Sequence, residues 1–154
     1  MLGLIQPVNT HMYLTQAAGS SPIVNAFEAG ILHVRPVKPN TIAKSIAIGN
    51  PADGYYALRV ARQSGGGACA VTDEEVVEGM KLLAETEGIF AEAAGGVVIA
   101  GLRKLVSSGI IKKGELTVAF ITGAGLKTQE VIAQGVHPLV IQPTLESFEE
   151  VFGK

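Results

Sequence analysis

Charge is scarce in this sequence, cysteine is nearly absent and no apolar run is long. Only 17% of the 154 residues are charged and 47% are hydrophobic, with a mean hydropathy of +0.35. A disordered chain combines low hydrophobicity with high net charge, so disorder is excluded. The formal net charge is −2, from 12 basic and 14 acidic residues. No basic stripe accompanies it, which argues against a nucleic-acid partner. The single cysteine, Cys69, cannot close an internal disulfide, which points to the cytoplasm or an organelle stroma. The apolar stretch around Val97–Ile99 is too short to cross a bilayer, so no membrane partner is expected. The N-terminal MLGLIQPVN lacks the charged region and cleavage site of a signal peptide. The 19 glycines follow no triplet period, which excludes collagen. His11, His33 and His137 lie far apart, and none shares ligand spacing with Cys69, so no metal site is expected.

What is present is an alternation of short β-prone and longer helical segments, in a length that fits one domain or a piece of one. Met12–Gln16 reads as a strand. Ser21 then caps a helix with Pro22 in its first turn, placing Ile23, Val24 and Phe27 on one face. His33–Asn40, with Pro36 and Pro39, reads as a loop. Thr41–Ile48 reads as a short apolar helical turn, and Ala57–Gln63 as a helix ending at Gly65. Ser64-Gly-Gly-Gly67 follows a helix and precedes a strand, the wrong order for a phosphate cradle, so it reads as a stop and turn. After a strand at Ala68–Val71, Thr72-Asp-Glu-Glu75 has the form of a capping box. It opens a helix whose inner stripe is Val76, Val77, Met80 and Leu83, with Gly88 as its stop. Ala94–Ser108 is a second long helix with Val98, Leu102 and Leu105 inward. Leu116–Ile121 is a continuous apolar run, as in a parallel strand covered on both faces. A glycine-rich turn, a helix near Gln129–Ala133, a strand-like Leu139–Ile141 and a helix near Leu145–Phe152 complete the chain. The alternation predicts an α/β three-layer sandwich with a mostly parallel sheet.

The junction AFITGAGLKT is the most informative place. In open parallel sheets ligands bind beyond the carboxyl ends of the strands. Thr122 stands there, and Gly123 after it permits close approach of a ligand. A threonine hydroxyl could bond a ring nitrogen without supplying a charge. By pattern alone, an ordinary strand-to-helix turn with Thr122 as cap is the simpler reading.

Three blocks in order carry a resemblance: SIAIGNPADGYYALR, then VTDEEVVEGMKLLAETEGIFAEAAGGVVIAGLRKL, then ITGAGLKT. With LGLI and YLTQAAGSSPIVNAF upstream, they resemble the C-terminal part of the threonine synthase family. These are pyridoxal-phosphate enzymes of the tryptophan-synthase-β type, fold type II. The similarity spans about residues 2–135 and leaves 136–154 as a variable tail. It implies a fragment of the large domain of a two-domain enzyme and a carbon–oxygen lyase acting on phosphates. That family makes threonine and phosphate from O-phosphohomoserine and water. It also implies that Thr122 bonds the cofactor's pyridine nitrogen and that Ser45 lines its ring. Glu92 and Asn50 would stand behind them. Three departures occur: Ala93 after Glu92 instead of proline, Ala124 instead of histidine or asparagine, and Thr128 instead of a frequent aspartate.

The resemblance also implies a Schiff-base lysine in a Ser-x-Lys-like motif and a glycine-rich phosphate loop, both upstream. None of the eight lysines here, Lys127 included, sits in such a motif, so no catalytic residue is assigned and the chain alone is expected to be inactive. Arg35, Arg59, Arg62 and Arg103 are candidates for phosphate contact. A chain this apolar is expected to self-associate through exposed surface. A fragment of threonine or serine dehydratase, or a non-enzymatic α/β binding module, are the competing readings.

Overall fold

The computed structural model describes residues 9–133, 135 and 139–153. The resemblance carried by residues 2–5, and His137 and Lys154, fall outside that range. Two strands, β1 (Tyr13–Ala17) and β2 (Gly67–Val71), pair in parallel with Tyr13 opposite Gly67 and Ala17 opposite Val71. Helices α1 (Pro22–Glu28) and α2 (Gly54–Gln63) form the crossover between them. Helices α3 (Asp73–Glu87) and α4 (Ala93–Ser107) follow, then the short α5 (Glu130–Ala133) and α6 (Leu145–Phe152).

Alternation along β1 sets the layers, because successive side chains leave opposite faces of a strand. Thr15 lies against Gly101 of α4. Its neighbour Gln16 points the other way, where its Oε1 accepts from the amides of Ile23 and Val24 in α1 at 2.9 and 3.0 Å. Helices therefore cover both faces of the parallel pair, as the expected α/β sandwich requires. Gln16 also does the capping expected of Ser21: the Ser21 hydroxyl makes no cap bond and donates instead to Ala18 O. A side chain from the adjoining strand reaches the free amides more directly than the local serine does.

The capping box forms as expected. Thr72 Oγ1 accepts from the Glu75 amide at 3.3 Å and the Glu75 carboxylate accepts from the Thr72 amide at 2.8 Å. Gly88 closes α3 in the left-handed region at φ 68°. Val71, Val76, Met80 and Val97 form the core cluster, each no more than 1% exposed. Burying a side chain of this size contributes about 1.5–3 kcal/mol. The inner face of α4 differs from the expected stripe. Val97, Ala100, Gly101 and Leu105 are buried, whereas Val98 and Leu102 are only half-buried. The reason is close helix approach. A Cβ on Gly79 would stand 2.5 Å from Gly96 O, and one on Gly96 would stand 2.5 Å from Val76 O. Small residues, rather than branched ones, mark this seam.

Two expected strands do not form. Leu116–Ile121 forms no strand among the described residues, and Leu116 and Phe120 are 96% and 72% exposed. Leu139–Ile141 is likewise outside any strand. A β-prone run becomes a strand only where a neighbouring edge supplies its hydrogen bonds.

Candidate functional site

Four of the five residues singled out in the sequence fall at one place. Glu92 is the N-cap residue of α4 and only 7% exposed, with the positive end of that helix's dipole behind it. Its Oε1 accepts from the Ser45 hydroxyl at 3.1 Å. Ser45 sits on a 3-10 turn, Lys44–Ile46, and its residue is exposed. Residues 47 apart in sequence thus meet at a buried carboxylate with one open side.

The glycine-rich turn closes the arrangement. The Glu92 amide donates to Gly123 O at 3.2 Å, the Gly125 amide donates to Phe90 O at 2.9 Å, and Ala91 bridges Ala124 in antiparallel sense. Gly123 has φ 77° and lies directly against the Glu92 carboxylate. A Cβ on Gly125 would stand 2.5 Å from the Phe90 ring. Both glycines therefore admit the protein's own side chains, which is a more local reason for them than approach of a ligand. Thr122, adjoining Gly123, is exposed. It caps no helix: the next element is the 3-10 turn Gly125–Lys127, with Ala124 at its N-cap.

Asn50 lines an open crevice with His33, Pro51 and Tyr55, and no hydrogen bond among the described residues ties it to Ser45 or Glu92. Lys127 is exposed at the end of its turn. Arg62 is occupied: its Nη2 donates to Ala26 O and Phe27 O at 3.0 and 3.2 Å, capping the end of α1, with its guanidinium 5.4 Å from the Phe27 ring centre.

Two residues at this site escaped the sequence reading, Thr41 and Asp73. The Thr41 hydroxyl donates to Asp73 Oδ1 at 2.5 Å, and the Ile42 amide donates to Asp73 Oδ2 at 3.2 Å. Asp73 is legible in the sequence only as an acid in the first turn of a helix, and nothing in the linear pattern links it to a threonine 32 residues earlier.

The site combines neutral hydroxyls with one carboxylate. Two exposed, neutral hydroxyls, Ser45 and Thr122, stand near one buried carboxylate. Such a polar wall is chemically compatible with pyridoxal phosphate. No described helix is long and apolar enough to cross a membrane.

A family model described as pyridoxal-phosphate dependent enzyme matches residues 2–123. The chain is 48% identical over 129 residues to the threonine synthase of Methanocaldococcus jannaschii, covering 82% of this chain and 32% of that protein. It is 44% identical over 142 residues to the threonine synthase of Methanosarcina acetivorans, covering 90% and 35%. The chain thus spans about a third of the length of these curated relatives. A crystal structure of a threonine deaminase superposes with a TM-score of 0.50 at 18% identity, over 62% of this chain and 34% of that one. At that identity the likeness concerns the fold alone.

Proposed function

The chain belongs to the family of pyridoxal-phosphate dependent enzymes, and from that premise we propose that it is the C-terminal part of a threonine synthase. The complete protein would be a carbon–oxygen lyase converting O-phosphohomoserine and water to threonine and phosphate. The observation that carries this reading is the convergence of Ser45, Glu92 and the Thr122–Gly123 turn, built around the 3.1 Å bond from Ser45 to Glu92. The names of the relatives support it.

Pyridoxal phosphate, when bound, supplies the electron sink for chemistry at the β and γ carbons of an amino acid. This chain's residues would hold and orient it. The Thr122 hydroxyl is neutral and can donate or accept, so it bonds a pyridine nitrogen without forcing a proton onto it. Ser45 lines the ring, and Glu92 fixes the Ser45 hydroxyl through a charge-assisted bond. Turnover is assigned to the complete protein, because no lysine of this chain stands in a cofactor-anchoring motif. The exposed row Leu116, Val118 and Phe120 is assigned to contact in an assembly. A clean monomer by light scattering at high concentration would count against that.

The deciding experiment compares two substrates with the complete protein. Phosphate release from O-phosphohomoserine, with no keto acid formed from free threonine, is the expected result. Keto acid from threonine would establish the dehydratase reading instead, and neither product would leave a binding module. Thr122→Ala is expected to weaken cofactor binding, measured by absorbance titration.

A further inference from the structure

We propose that Asp73 is a positioning residue for the cofactor-facing loop, acting on Ser45 through Thr41; this rests on the reading of the site given above. The Thr41–Ser45 segment is gripped at both ends by carboxylates. At one end Asp73 takes the Thr41 hydroxyl on Oδ1 and the Ile42 amide on Oδ2. Thr41 Oγ1 in turn accepts from the Ala43 amide at 3.2 Å. At the other end Glu92 takes the Ser45 hydroxyl. Thr41 is 3% exposed and Ala43 is fully buried, so these donors have little access to water as an alternative.

Asp73 is free for this task because the cap of α3 is completed by others. Thr72 and Glu75 satisfy each other's amides, and the Asp73 side chain is not needed there. Both grips sit at helix starts, Asp73 as the first residue of α3 and Glu92 as the N-cap of α4, where the helix dipole favours a negative charge. The contact of Gly79 with Gly96 keeps α3 and α4 at one separation. The two carboxylates are therefore a rigid pair, and the loop between them inherits its position. Ile42 and Ile46 pack on the core without directional contacts, whereas the three hydrogen bonds at Thr41–Ala43 are directional.

The test uses the complete protein as wild type, D73A, D73N and E75A. Readouts are the pyridoxal phosphate dissociation constant, the circular dichroism of the bound cofactor, the melting temperature, and hydrogen exchange at the Ile42 and Ala43 amides. D73A is expected to weaken cofactor binding about tenfold, the scale of one lost charge-assisted hydrogen bond. It is also expected to change the cofactor's dichroism and speed exchange at both amides. D73N keeps one acceptor and should fall between. E75A breaks the capping box of the same helix, so it should lower the melting temperature while leaving cofactor affinity near wild type. Wild-type affinity and dichroism in D73A would overturn the proposal, as would an equal loss of affinity in E75A at matched loss of melting temperature. If D73A does not fold, wild-type affinity and exchange in D73N would overturn it. A wild-type protein that binds no pyridoxal phosphate would overturn the functional reading itself, while the amide exchange still reports whether Asp73 grips the loop.

Discussion

Replacing Gly96 with alanine should destabilise the protein, against the usual rule for helices. In a helix interior alanine is favoured over glycine by about 0.8–1 kcal/mol. At position 96, however, the new Cβ would meet Val76 O at 2.5 Å, Met80 Cγ at 2.7 Å and Val76 Cγ1 at 3.0 Å. Val76 O is backbone of α3 and yields only if the helix moves. Met80 is 1% exposed, so its chain has nowhere to swing. Overpacking of a closed core costs typically about 1–3 kcal/mol, and a clash with backbone belongs at the upper end. Subtracting the propensity gain leaves a net loss of about 2 kcal/mol. Urea unfolding followed by far-ultraviolet circular dichroism measures it. Thr86→Ala, at an exposed site of α3, serves as the control away from the seam: it gains helix propensity and loses only the exposed bond from the Thr86 hydroxyl to Leu82 O, so stability should change little. Gly96→Ala with stability equal to or above wild type would refute the close-seam argument. Gly79→Ala tests the same seam through a neighbouring contact, since its Cβ would stand 2.5 Å from Gly96 O. The double variant should not lose the sum of the single losses, because one separation of α3 and α4 relieves both clashes.

Gly123→Ala should lose about 1–2 kcal/mol from the left-handed backbone alone, and its Cβ would also push the Glu92 carboxylate off Ser45. Cofactor titration should show weaker binding, and wild-type affinity would contradict the geometry. The Glu75 carboxylate is held below its ordinary pKa by the Lys104 ammonium, 2.7 Å away, and by the Thr72 amide. Its folded value lies under its unfolded one, so this contribution is present above the ordinary glutamate range and is lost as pH falls through the folded value. The pair's side chains are 44% and 40% exposed, which limits it to under about 1 kcal/mol. Glu75→Gln should flatten the acid limb of a stability–pH curve by that amount, with unchanged slope as the contrary result. Burial pushes the Cys69 thiol above its ordinary pKa, outweighing the nearby Lys104 charge. Labelling by a thiol reagent at neutral pH should therefore be slower than for a free thiol and should accelerate in denaturant; a rate matching the free thiol would count against it.

Local chemistry makes several elements legible in the residue order. The box Thr72–Glu75 is complete within four residues, so its helix start is readable, as is the stop at Gly88, where a left-handed residue is needed. The crossover loop with Pro36 and Pro39 and the helix Leu145–Phe152 are also readable from neighbours alone. The inner stripe of α4 departs from expectation because branched residues usually mark a core, whereas this seam is set by the absence of a Cβ. Leu116–Ile121 departs from it because composition expresses a strand's preference and not its partner.

At the site the division is sharper. Ser45, Glu92, Thr122 and Gly123 could be singled out one by one, because resemblance is a property of short runs of residues. Their meeting could not. Which hydroxyl a carboxylate holds depends on the path of the chain between them, and here that path runs 47 residues from Ser45 to Glu92. Nothing linked Thr41 to Asp73 until the fold brought them within hydrogen-bonding reach. Residue order thus determined the long helices, the capping box of α3 and the family, but not the cap of α1, which Gln16 supplies from the adjoining strand. Distance in space alone decided which side chains act together, because hydrogen bonds and van der Waals contacts act over a few ångströms and are blind to separation along the chain.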